Sequence, residues 1–231
     1  MLIGWFALGA VIQKSTLAAG DSARGLKTIG DYRYVLNEVK DGVILEDYIG
    51  TKGGDIVIPS TIDGLPVVKL EALLFSELGK PPYGKKRKDR ITSVVIPDTV
   101  ISINNCFKGC EDLKQITLPK NLKIIGDDTF KWSGLTSIVI PEGVTEIGNR
   151  AFEACANLTS VTLPQSIRRM GDSAFGSCTS HVDVNIPQKV IEYFSGYSDQ
   201  EKYDIGSFKG GSKISASSQQ AIRDTGYKGK F

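Results

Sequence analysis

Apolar and polar residues alternate along this chain in short runs that return at a nearly fixed interval. The stretches ITSVVIPDTVISINNCFKGCEDL, KQITLPKNLKIIGDDTFKWSGL, TSIVIPEGVTEIGNRAFEACANL and TSVTLPQSIRRMGDSAFGSCTSH superimpose on an apolar residue followed by proline. That step falls at Pro97, Pro119, Pro141 and Pro164 and recurs at Pro187, with spacings of 22, 22, 23 and 23 residues. A period of this length describes stacked copies of one small unit rather than a chain folded back on itself. An earlier unit begins at Ile58 and Pro59 and takes in Val67, Leu70 and Phe75, but an insertion stretches its return to Pro97 to 38 residues.

Each unit can be read physically. Leu135, Ile138 and Ile140 alternate with polar residues, which predicts a short strand with one face buried. Pro141 has no amide hydrogen to continue a ladder and belongs where the strand ends. Val144 and Ile147 then point inward again, and Gly148 is expected to supply backbone freedom for a tight bend before Ala151 and Phe152. Phe107, Phe130, Phe152 and Phe175 are expected to stack through the centre of the coil. No unit buries this surface alone, so the stack needs several repeats and a cover at each end. At the N-terminal end, YRYVLNEVKDGVILEDYIG places Asp41 and Gly42 between two alternating runs, a hairpin signal. At the C-terminal end, SASSQQAIRDTGY offers a serine helix start and Gly226 as its stop.

A strand ending in Ile-Pro, then Val-x-x-Ile-Gly, then Ala-Phe-x-x-Cys and a leucine closely resembles the BspA-like, or Treponema-type, bacterial leucine-rich repeat. GVTEIGNRAFEACANLTSVTLP is nearly the ideal unit, and the likeness runs from about Gly42 to Pro187. The chain departs from it at Ser133, at Cys106 and in the early insertion. The resemblance implies a solenoid of the α/β type, mainly β with an irregular convex side. Its right-handed coil would comprise about five to six units of 22–23 residues, with a hairpin cap and a helical cap. The expected organisation is a signal-like segment at 1–20, a cap at 21–57, repeats at 58–187 with an insertion loop at 79–90, and a second cap at 188–231. The resemblance further implies an exported or surface protein engaged in adhesion, and it brings no catalytic residues.

Composition narrows this little. Hydrophobic residues at 41% and charged residues at 23% suit a chain that folds in water, and a net charge of +2 provides no field for nucleic acid or an anionic membrane. The apolar run from Met1 to Ile12 is too short to cross a bilayer and has the length of a signal-peptide core, with small residues at Ala18, Ala19 and Gly20. It lacks the usual basic lead, and an apolar element packed on the body has the same pattern. The expected location is outside the cytoplasm, in the periplasm or at the cell surface.

Chemistry-bearing residues are few. Cys110, Cys155 and Cys178 fall at one repeat position, which reads as a column of small buried thiols. Cys106 and Cys110, four apart, leave a local disulfide open, while zinc lacks its second ligand pair. His181 is the only histidine, and it falls where other units carry Ile91, Leu113, Leu135 and Leu158. The carboxylates Glu142, Glu146 and Glu153 are expected at exposed positions without the pairing that separates acid from base. No phosphate loop or nucleophile motif occurs, and the glycine pairs Gly53, Gly54 and Gly210, Gly211 read as turns. The expectation is a protein that is not an enzyme and needs no cofactor or metal.

Two surfaces remain. Between the buried strand positions, Ser93, Gln115, Ser137 and Ser160 form one outward row and Val95, Thr117, Val139 and Thr162 a second, both small and uncharged. They suit a flat contact with a protein or a glycan, although β-branched residues also favour strands for their own sake. The insertion GKPPYGKKRKDR offers Lys85, Lys86, Arg87 and Lys88 as a secondary anionic contact. The reading is a recognition module that binds a protein or glycan partner through its strands, without nucleic acid or a stable membrane span. Self-association as a structural envelope component is the alternative.

Overall fold

The structure, a computed structural model, describes residues 25–50, 53–71, 74–75, 91–185 and 213–224. The apolar N-terminal run, the insertion loop and Gly226 lie outside the described residues.

The chain opens with an antiparallel meander of β1 (Lys27–Ile29), β2 (Tyr32–Leu36) and β3 (Val43–Tyr48). The hairpin between β2 and β3 does not turn on Asp41 and Gly42 alone. It is a six-residue loop in which the Asn37 side-chain oxygen accepts from the amides of Asp41 (3.0 Å) and Gly42 (3.1 Å), and Lys40 takes the left-handed conformation at φ 59°. An asparagine that satisfies two loop amides substitutes for the tight Asp-Gly turn. After it come β4 (Gly54–Val57), β5 (Thr61–Ile62) and β6 (Leu65–Leu70).

From here each unit contributes a longer and a shorter strand. The longer ones are β7 (Ile91–Val95), β9 (Gln115–Thr117), β11 (Ser137–Val139), β13 (Ser160–Thr162) and β15 (His181–Asn185). The shorter ones, two residues each, are β8 (Ser102–Ile103), β10 (Ile124–Ile125), β12 (Glu146–Ile147) and β14 (Arg169–Met170). The Val-x-x-Ile segment is thus a ladder in its own right. One sheet runs β1-β2-β3-β6-β8-β10-β12-β14, continuing the N-terminal meander along one side of the solenoid, with β5 paired to β6. The longer strands lie on a second side in parallel ladders, β7 with β9 and β11 with β13 and β15.

A third side closes each coil without regular strands, yet its backbone is also bonded between coils. The Phe107 amide donates to Thr129 O (2.9 Å), that of Phe130 to Ala151 O (2.7 Å) and that of Phe152 to Ala174 O (2.7 Å). Two columns of residues turn the chain here in the left-handed conformation: Asn105, Asp128, Arg150 and Ser173, then Gly109, Trp132, Ala154 and Ser177. Most are not glycine, so each such residue carries about 1 kcal/mol or more of local strain.

Gly148 does not provide the expected bend, because its φ is not positive. It provides close approach instead. A Cβ there would lie 2.5 Å from the Asp127 amide nitrogen and 2.6 Å from the Gly126 carbonyl carbon, and one at Gly171 would lie 2.5 Å from the Gly148 carbonyl carbon. At Gly148 and Gly171 the coils meet too tightly for a side chain.

Phenylalanine fills the centre. Phe75, Phe107, Phe130, Phe152 and Phe175 are fully buried, their ring centroids 5.4, 5.3, 5.1 and 5.0 Å apart and their planes within 17° of parallel. Tyr48 and Tyr32 extend the stack in tilted geometry toward the meander. At the other end β16 (Lys213–Ile214) pairs with β15, and α1 (Ala216–Asp224) follows it. Ser215 caps α1, its hydroxyl accepting from the Ser218 amide at 3.2 Å. The buried Ser218 hydroxyl in turn accepts from the Val184 amide at 2.9 Å, which satisfies a donor on the last strand.

Candidate functional site

The longer strands carry the two outward rows to adjacent positions. Ser93 is opposite Gln115, and Ser137 is opposite Ser160; Val95 is opposite Thr117, and Val139 is opposite Thr162. Seven of these eight residues are exposed, and Ser93 is half-buried because it donates to Asp55 at 2.6 Å. Both rows run further than the eight. Asp55 and Val57 of β4 extend them at one end through their pairing with Ser93 and Val95, and Asp183 of β15 lies opposite Ser160 at the other. Val57 stands two residues before Pro59 as Val95 stands two before Pro97, so register alone could have found it. With Asp55 and Asp183 included, the uncharged centre ends in a carboxylate on each side. Val57 and Val139 are each 70% exposed and Val95 is 44% exposed, although such side chains ordinarily seek burial.

The rows do not lie on one continuous sheet. β4, β7 and β9 form one ladder and β11, β13, β15 and β16 another. The amide of Lys114 donates to Thr92 O (3.1 Å) and that of Thr159 to Thr136 O (2.9 Å), but no backbone hydrogen bond joins β9 to β11 among the described residues. The break coincides with a missing residue. From the core phenylalanine to the next buried leucine there are six steps in Phe107 to Leu113 and Phe152 to Leu158, but five in Phe130 to Leu135. The shortened chain is drawn in at Gly134, whose amide donates to Cys110 O at 3.0 Å and where a Cβ would sit 2.7 Å from the Glu111 carbonyl carbon. Ile116, at the break, is only partly buried, whereas Ile138 and Val161 are core.

The cysteines are structural. All four are free and buried, so Cys106 and Cys110 are separate thiols. Each column member donates across a coil boundary: Cys110 Sγ to Phe75 O (3.1 Å), Cys155 Sγ to Phe130 O (3.1 Å) and Cys178 Sγ to Phe152 O (3.3 Å). Ser133 fills the gap in the column, its Oγ 3.3 Å from Cys155 Sγ. Burial pushes the Cys155 thiol up to about 11 and the Cys178 thiol up to about 12, and it raises Cys106 well above the ordinary range. Thiols held this far from ionisation are poor nucleophiles.

Of the carboxylates expected at open positions, Glu142 is exposed and Glu146 and Glu153 are half-buried, and all three are tied to the neighbouring coil. Glu142 accepts from the Gln165 amide (3.1 Å), Glu146 pairs with Arg169 (3.7 Å), and Glu153 pairs with Lys131. Between-coil bonding drew Glu146 and Glu153 in, a role that charge spacing within one unit does not reveal. His181 opens β15, its backbone opposite Lys213. The glycine pair at 53–54 leads into β4 with Gly54 at φ 75°, and Gly210 and Gly211 lie outside the described residues, as do Lys85, Lys86, Arg87 and Lys88. Among the described residues no group of three or more His, Cys, Asp or Glu side chains could hold a metal ion, and no helix is long and apolar enough to cross a membrane.

Parallel strands on one side, a shorter ladder on a second and a bonded turn column on a third define a leucine-rich-repeat solenoid, a class that builds protein-interaction surfaces. The chain belongs to the BspA-type leucine-rich-repeat family, whose model matches residues 86–201 as six copies. Its fold is similar to that of the leucine-rich-repeat protein of Treponema pallidum (TM-score 0.64, 26% identity, covering 87% of this chain and 96% of that one). It is also similar in fold to the pneumococcal vaccine antigen PcpA, with a TM-score of 0.51 and 16% identity over 72% of this chain and 51% of that one. A leucine-rich cell surface protein from Faecalibacterium prausnitzii aligns with a TM-score of 0.44 at 24% identity, over 69% of this chain and 54% of that one. No curated protein matches.

Proposed function

We propose that this protein is an exported, non-catalytic recognition module that holds a protein partner on its longer-strand face. The observation that carries the reading is the row Val57, Val95, Thr117, Val139 and Thr162, which keeps β-branched side chains in water along five parallel strands. Single exposed apolar residues are ordinary, but aligned ones on a flat, small-residue surface form a contact area. Ser93, Gln115, Ser137 and Ser160 beside them supply hydrogen-bonding groups at the same spacing. The organisation that goes with this reading is a signal-peptide-like segment at 1–20, a cap at 21–57, repeats at 58–187 with an insertion loop at 79–90, and a closing cap at 188–231. Placement at the cell surface and a role in adhesion accord with the family.

The test is to replace Val95, Thr117, Val139 and Thr162 with charged residues, confirm the fold by circular dichroism, and compare binding to extracellular-matrix proteins and cell extracts. Loss of a specific wild-type interaction in the folded variant supports the reading. Binding that persists unchanged moves recognition off this face. If neither protein binds and mass rises with concentration in light scattering, self-association replaces the reading.

A further inference from the structure

Trp132 stands apart from every other aromatic residue described. It is 44% exposed, while the tyrosines and phenylalanines are buried or half-buried. It also occupies a left-handed position, at φ 59°, in a column otherwise filled by Gly109, Ala154 and Ser177. A bulky side chain there is strained where glycine would not be, and strain kept at a surface position points to use.

The ring is held in place by charge. Lys131 Nζ lies 4.6 Å and Lys108 Nζ 5.6 Å from its centroid. Both lysines are anchored in turn, Lys131 to Glu153 and Lys108 to Asp128 at 2.9 Å, and their side chains are mostly buried. On the far side of Asp128, Arg150 touches the carboxylate through Nε at 3.4 Å. That guanidinium is half-exposed and makes no other ion pair among the described residues.

We infer that Trp132 and Arg150 form a second binding site, distinct from the strand face, that takes an acidic polysaccharide. The part of the indole face that Lys131 and Lys108 leave exposed suits the C–H face of a sugar ring. The guanidinium fork suits a carboxylate on the sugar's edge, as a two-pronged charge-assisted hydrogen bond. A protein partner fits this ridge less well. An aromatic hot spot in a protein interface needs surrounding contacts that exclude water, and here the surround is Lys108, Lys131, Asp128, Glu153 and Arg150.

The experiment uses the full chain with Trp5→Phe, which leaves Trp132 as the one indole. Hyaluronan, neutral dextran and polyglutamate are titrated in turn, followed by fluorescence and by calorimetry. Hyaluronan should shift the emission and bind, dextran should not bind, and polyglutamate should bind much more weakly. Trp132→Gly removes the ring from a backbone that already favours glycine, so it should fold and bind hyaluronan about tenfold more weakly. Arg150→Gln should also weaken binding. Failure of the wild type to bind hyaluronan overturns the inference, as does unaltered affinity in Trp132→Gly or polyglutamate binding as tight as hyaluronan. Loss of binding on neutralising Lys85, Lys86, Arg87 and Lys88, with Trp132→Gly unaffected, overturns it too and moves the site to the insertion.

Discussion

The rings of Phe107 and Phe130 lie 5.3 Å apart at their centroids and 3° from parallel. Each is fully buried and each belongs to a different coil, so the contact between them is a contact between repeats. Phe130 has such a contact on both faces, with Phe152 at 5.1 Å on the other. Phe130→Ala should therefore cost about 3–5 kcal/mol, read as a lower urea midpoint. Because the loss sits mid-stack, the unfolding curve should also broaden as the two halves uncouple.

Gly148 and Ala154 should respond in opposite directions. Gly148→Ala places a methyl 2.5 Å from a backbone nitrogen that the ladder holds fixed, and should destabilise by about 2–3 kcal/mol. Ala154→Gly relieves a left-handed residue at φ 57° and should stabilise by about 1 kcal/mol. Thermal melts of the two variants decide whether close approach or turn conformation governs each column.

These two positions show what the sequence makes legible. Strands, proline stops and the phenylalanine stack were readable because each depends on residue type at a fixed period. The left-handed turns were not, since Arg150, Trp132 and Ala154 carry none of the usual glycine signal. Gly148 was visible, but whether it bends the chain or admits a neighbour depends on the adjacent coil. The break in the strand face was hidden by counting. Pro97 to Pro119 and Pro119 to Pro141 both span 22 residues, yet the first unit is short before Phe107 and the second after Phe130. The open faces of the longer strands followed from alternation, while the Trp132 ridge rests on a backbone conformation that no pattern announces.

Alkaline pH should weaken the fold through its thiols. Cys155 titrates near 11 when folded, pushed up by burial, and at its ordinary value when unfolded. A folded pKa above the unfolded one gives stability that is whole below about pH 8.5 and is lost as pH rises toward 11, by about 2–3 kcal/mol for this group. Denaturant melts at pH 8, 9.5 and 11 should show that decline, and Cys155→Ala should lessen it by that group's share, leaving the part due to Cys106 and Cys178.

Lengthening the short unit should mend the sheet. One alanine inserted between Gly134 and Leu135 restores the six-step spacing from Phe130, giving β11 enough chain to pair with β9. Amide exchange at Thr136 and Ile138 should slow by about tenfold as new ladder bonds form. Unchanged exchange would mean that the gap has a cause other than chain length.

The stacked rings act as a ruler. Successive rings sit 5.0 to 5.4 Å apart at their centroids, one ring to each coil of the hydrogen-bonded ladders, and this increment is the same whatever the outward side chains are. Tandem duplication of one unit would therefore lengthen every side of the solenoid in phase, and the exterior of each copy could then drift without disturbing the shaft.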